Sequence, residues 1–167
     1  MIKGYKAFNK DMENRYGKKF VEGETYSIEG PIEFGNNGNG FHFCKRLEDT
    51  LRYVSAMEEE VKIAEITGFG ELVERTDEYY DYYEMYVTRT IRIDKILSRQ
   101  EILEMFFDNI PDRVIRFVSS YKLTPEEIEI FKLKYYNEKR IIKALQYYQE
   151  DNKEVYNIKE KLKVKKK

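Results

Sequence analysis

His42 and Cys44 are the only histidine and the only cysteine of the chain, and they stand two residues apart in NGNGFHFC, 37–44. Residues i and i+2 of a strand share a face, so an imidazole could lie beside a thiol here. Zinc would require three or four ligands, and one His and one Cys leave carboxylates to complete the set. A Cys–His nucleophilic pair would require a thiol whose pKa is lowered, and nothing in the neighbouring sequence supplies that. The plain reading is structural. GNNGNG, 35–40, is a loop of residues that tolerate positive φ, with Gly40 its last, and FHFC is a strand with Phe41 and Phe43 on one face and His42 and Cys44 on the other. No metal is expected.

RTDEYYDYYEMY, 75–86, is the other stretch with chemical character, with four acidic residues and five tyrosines. Tyrosine gives large, rigid, amphipathic contact area, and interleaved carboxylates complement a basic partner, including one that itself binds nucleic acid. Tyr79, Tyr80, Asp81, Tyr82, Tyr83 and Glu84 are the candidate partner-binding residues. The alternative is a hairpin arm whose tyrosines lie on the domain.

The elements that must position these residues differ between the two halves. Residues 1–97 read as short strands at Met1–Phe8, within Phe20–Ile28, at Ile32–Phe34, at FHFC, at Val61–Ile66 and over 86–93. One main helix is predicted over Arg46–Met57, because Leu47, Leu51 and Val54 form one apolar stripe. Residues 98–167 read as helices. Ser98 with Glu101 suggests a capping box for a helix to about Asp108, and Pro111 suits the first position of a second helix through Tyr121. Thr124-Pro125-Glu126-Glu127 combines an N-cap, a proline at N1 and a glutamate at N3. Further helices are expected over Glu138–Tyr148 and Asp151–Leu162. The fold class is therefore α+β: a mixed or antiparallel sheet domain at 1–97, then an all-helical segment at 98–167 with a basic tail.

Length and composition agree with this division. The chain of 167 residues has 41% hydrophobic and 37% charged residues, enough to bury a core. The net charge of −1 conceals an acidic first half and a basic second half. A lone cysteine fits a reducing compartment, and no signal peptide or apolar run long enough to cross a membrane is visible. The expectation is a cytoplasmic protein with no membrane partner.

Several stretches carry resemblances. KGYKAFNKDM (3–12), FVEGETY (20–26), GFHFCKRLEDTLRYV (40–54), VKIAEITGFGE (61–71) and VTRTIRIDKILSRQEI (87–102) resemble an uncharacterised domain family common in phages and prophages. That implies an accessory protein of a mobile element. The same pattern is similar, more distantly, to the ADP-ribosyltransferase fold. This resemblance implies NAD as cofactor, held by Lys6 (where the family has His or Arg), Gly40, His42 and Tyr53, with Glu84 as the catalytic glutamate. Without it, no cofactor is expected. LTPEEIEIFKLKYYNEKRIIKAL and EVYNIKEKLKVKKK resemble the promoter-binding helix-turn-helix of bacterial sigma factors, with YYQEDN as the turn. That would place Lys153, Asn157, Lys159 and Lys161 near DNA, with Asp151 capping the recognition helix. The leading expectation is a phage-type accessory protein that binds a host macromolecule, foremost a host protein, and inhibits a defence or nucleic-acid-processing function. An NAD-dependent ADP-ribosyltransferase and a helix-turn-helix regulator are the alternatives.

Overall fold

The computed structural model describes residues 1–14, 16–35, 38–74 and 84–151. The chain divides into two compact units, 1–99 and 100–167.

The first unit is an antiparallel sheet of five strands: β1 (Ile2–Asn9), β2 (Thr25–Ser27), β3 (Phe41–Cys44), β4 (Val61–Glu74) and β5 (Met85–Ile96). β1 runs along β4 from Ile2↔Gly68 to Asn9↔Val61, and β4 runs along β5 from Ala64↔Ile96 to Glu74↔Tyr86. β3 pairs with β5 from Phe41↔Thr88 to Cys44↔Met85 and returns to β1 at Tyr5↔Cys44. Four strands thus close into a small barrel, and β2 lies beside β5 at 90–92. Register shifts at Glu65/Ile66 and Phe69/Leu72 interrupt the β4–β5 ladder. Such irregularities bend a strand and raise its twist, which closure of so few strands requires.

The core of this unit is aromatic. Phe8, Phe20, Phe41, Phe43 and Tyr86 cluster with Ala64, Ile66, Ile91 and Ile93. Phe43 stacks on Tyr86 at 5.5 Å. Two glycines make room for the Phe43 ring: a Cβ on Gly4 would lie 2.7 Å from its Cδ2, and one on Gly68 would lie 2.9 Å from its Cε1. Close packing of this kind tolerates no added methyl without displacement of the ring.

Two elements of this unit depart from the sequence expectation. The helix expected over Arg46–Met57 is one α-turn, α1 (Leu47–Thr50), continued by a 3-10 turn at Leu51–Tyr53. Val54 is extended (φ −139°), and the carbonyl of Ser55 then accepts from the amides of Glu58 and Glu59. Leu47 and Leu51 are buried as the stripe requires, while Val54 is only half-buried. Ile32–Phe34 is not a strand. Asn39 Nδ2 donates to the carbonyls of Glu29 and Pro31, both at 2.9 Å, and the Glu33 amide donates to the Asn39 carbonyl at 2.8 Å. These groups form a clasp across the loop in place of a ladder.

The second unit is helical: α2 (Arg99–Phe107), α3 (Pro111–Val118), α4 (Pro125–Lys134) and α5 (Lys139–Leu145), followed by a π-helical turn at Gln146–Asp151. Pro111 and Pro125 occupy first-turn positions, and Thr124 and Glu127 form the full capping box. On α3, Val114, Phe117 and Val118 are buried, the i, i+3, i+4 stripe of an amphipathic helix. Phe106 stacks on Phe117 at 4.0 Å, and Phe107 meets Phe131 at 5.1 Å. YYQEDN is expected as the turn between two helices; its described residues, 147–151, instead prolong α5 as the π-helical segment. Its Gln149 is buried and donates to the carbonyls of Val118 (2.6 Å) and Tyr121 (2.8 Å), while its Oε1 accepts from the Leu123 amide at 3.0 Å. One side chain therefore secures three main-chain groups where α3 ends, and this anchoring holds 146–151 in place. The helix expected over Asp151–Leu162 lies beyond the described residues except for Asp151 itself.

Candidate functional site

NGNGFHFC is built as loop and strand. Gly40 has φ +132°, and a Cβ there would lie 2.3 Å from Val87 Cγ2. His42 Nε2 accepts from the Gly35 amide at 3.2 Å, and the imidazole meets the Phe34 ring edge-on at 5.7 Å. Cys44 is a buried free thiol. Among the described residues, no three His, Cys, Asp or Glu side chains converge as a metal ion would require.

The remaining residues tied to NAD fall into two groups. Lys6 Nζ donates to the His42 carbonyl at 2.6 Å and lies 5.9 Å from the Phe8 ring centre. Only one β1–β3 pair, Tyr5↔Cys44, joins these strands, so the ammonium supplies a donor where the ladder has ended. At the end of the 3-10 turn, Tyr53 donates to Met85 Sδ at 2.7 Å, next to Glu84. Glu84 is exposed; its carbonyl accepts from the Lys45 amide at 2.9 Å and its Oε2 from the Tyr86 hydroxyl at 3.1 Å. Burial raises the Tyr86 pKa from 10.0, and the carboxylates of Glu84 and Glu74 add to the rise. The hydroxyl is therefore held as a donor.

A cleft of about 440 Å³ opens elsewhere on the barrel, lined among others by Lys3, Tyr5, Lys45, Glu65 and Asp94. None of Lys6, Gly40, His42, Tyr53 and Glu84 lines it. Asp94 accepts from the Thr67 hydroxyl and from Arg92 Nε, each at 2.5 Å. The cleft thus presents charges of both signs, and sequence reading did not find it because its residues come from four separate segments.

A third grouping also escaped the sequence reading. Lys18 Nζ lies 5.6 Å from the ring centre of Phe20, 5.3 Å from Tyr26 and 5.3 Å from Phe41. Phe20 stands at 65° to Tyr26 (4.9 Å) and at 83° to Phe41 (6.1 Å). The three rings share no periodicity in sequence: the pairing of β2 and β3 with the same strand, β5, brings Tyr26 and Phe41 together, and the Phe20 amide donates to the Met12 carbonyl at 2.8 Å.

Tyr79, Tyr80, Asp81, Tyr82 and Tyr83 lie outside the described residues, as do Lys153, Asn157, Lys159 and Lys161. The flanks of the first set are described: β4 and β5 remain paired to Glu74↔Tyr86.

No curated protein and no solved structure matches the chain. A family model described as Domain of unknown function (DUF7666) matches residues 2–103. That match takes in the whole barrel from β1 to β5 and more than half of the sequence, and on this ground the chain belongs to the DUF7666 family.

Proposed function

We propose that this protein acts by binding another protein, as an accessory protein of a phage or prophage would bind a host macromolecule, with segment 75–86 as the contact surface. The observation that carries the reading is the β4–β5 ladder, which runs unbroken from Leu72↔Thr88 to Glu74↔Tyr86 and anchors both ends of the tyrosine-rich segment. Anchoring lowers the ordering cost that a free peptide would bear on binding. Dense tyrosine supplies hot-spot contacts, and the interleaved carboxylates favour a basic partner, such as a protein whose own ligand is nucleic acid.

The test replaces Tyr79, Tyr80, Tyr82 and Tyr83 together by serine. Partners captured from a bacterial lysate by the wild type are identified by mass spectrometry, purified and titrated calorimetrically against both forms. The variant keeps the melting profile of the wild type and loses several kcal/mol of affinity if these are hot spots. A folded variant that binds every purified partner as tightly as the wild type overturns the proposal.

A further inference from the structure

The structure assigns a second recognition site, independent of segment 75–86, to the corner formed by Phe20, Tyr26 and Phe41: a site for a quaternary alkylammonium group, occupied in this state by the chain's own Lys18. The faces of aromatic rings carry negative potential, and a cation within about 6 Å of a ring centre is attracted to it. All three Lys18 distances meet that limit, and the rings are set at steep angles to one another around the ammonium. The corner is rigid. Phe20 and Phe41 belong to the packed core, and the Tyr26 hydroxyl is fixed by accepting from the Val21 amide at 2.8 Å and donating to Glu24 Oε2 at 3.1 Å.

Lys18 is placed as a competitor and not as a wall. Its main chain is held firmly: the amide donates to Asn14 Oδ1 and the carbonyl accepts from the Asn14 amide, both at 3.0 Å. Its exposed side chain is four methylenes long and can leave the corner without moving that loop. A primary ammonium is strongly hydrated and sits poorly among rings. A trimethylammonium carries the same charge with weaker hydration and more apolar contact, so the rings prefer it. The ligand chemistry is shared by a trimethylated lysine of a partner protein and by a free choline-type cation. A folded loop that supplies its own weaker ligand keeps the site closed until such a group displaces it.

The experiment follows the aromatic resonances of the full chain by NMR during titration with trimethyllysine amide, choline and unmethylated lysine amide. Lys18→Ala and Lys18→Gln both remove the competitor, and losing it tightens trimethyllysine binding about fivefold to tenfold over the wild type. Unmethylated lysine amide binds more weakly than either quaternary probe, and Tyr26→Ala in the Lys18→Ala background abolishes binding. Trimethyllysine above choline indicates a protein source, and the reverse a free cation. A folded Lys18 variant that shows no shift of the Phe20, Tyr26 and Phe41 signals overturns the assignment. If neither variant folds, the wild type decides: saturable shifts of these three rings with millimolar trimethyllysine support the site, and their absence refutes it.

Discussion

Substituting Gly40 by alanine should destabilise the barrel by about 2–5 kcal/mol, and the structure shows where that energy arises. The first part is conformational: at φ +132° an L-residue is strained, by about 1–3 kcal/mol. The second is steric. The new Cβ would stand 2.3 Å from Val87 Cγ2 and 3.4 Å from both Ile32 Cγ2 and the Thr88 carbonyl. Val87 is fully buried and β-branched, so its methyl has no free rotamer to swing into, and overpacking of this kind costs about 1–3 kcal/mol. Reduced freedom of the unfolded chain returns less than about 1 kcal/mol. Circular dichroism would sum the barrel and the helical unit, so the suitable assay is amide exchange by mass spectrometry on peptides from 61–74 and 85–96. Val87→Ala in the same background removes the clash but leaves the φ strain, so the double mutant should show a favourable coupling of about 1–3 kcal/mol. A Gly40→Ala protein whose β4 and β5 amides open within about 0.5 kcal/mol of the wild type would refute both parts of the reasoning.

Gln149→Ala should destabilise the helical unit by about 2–4 kcal/mol, because the Leu123 amide and the Val118 and Tyr121 carbonyls lose a buried partner at once; urea unfolding followed at 222 nm measures it. Thr124→Ala removes one half of the capping box and should cost about 1 kcal/mol in the same assay. Tyr135 has a pKa raised from 10.0, chiefly by burial; the Asn109 amide opposes the rise and the Asp108 carboxylate adds to it. A raised tyrosine pKa favours the protonated form in the fold, so its contribution is complete below pH 10 and is lost as pH rises through the folded value. Tyr135→Phe should therefore flatten the alkaline loss of helical stability, and an unchanged slope would count against the assignment. Millimolar NAD should leave the thermal midpoint unmoved, whereas a rise would revive the transferase alternative.

What was legible in the sequence was local. Thr124-Pro125-Glu126-Glu127 carries its own hydrogen-bond partners within one turn, and the structure contains the box it specifies. FHFC alternates aromatic with smaller residues, and β3 has those bounds. The expectations that failed depended on groups that no helix or strand period relates. Ile32–Phe34 has strand-like residues, but Asn39 claims the nearby carbonyls. The apolar stripe of 46–57 is satisfied by Leu47 and Leu51, after which Val54 turns extended. Barrel closure joins residue 5 to 44 and residues 2–9 to 61–68, pairings that no local period encodes. The aromatic corner is legible only after that closure is known.

Because β1, β3, β5 and β4 pair in a ring, the barrel offers an incoming chain almost no strand to join. Among the described residues, the open flank of the sheet is β2, three residues long. Recognition by strand addition, which reads main-chain amides and is indifferent to most side chains, is thereby disfavoured. Among the described residues, the groups left to meet a partner are chiefly side chains that project from the frame. Those side chains can be exchanged without touching a ladder hydrogen bond, so one scaffold can be retargeted by substitution alone. The same geometry leaves neighbouring copies little template for edge-to-edge aggregation.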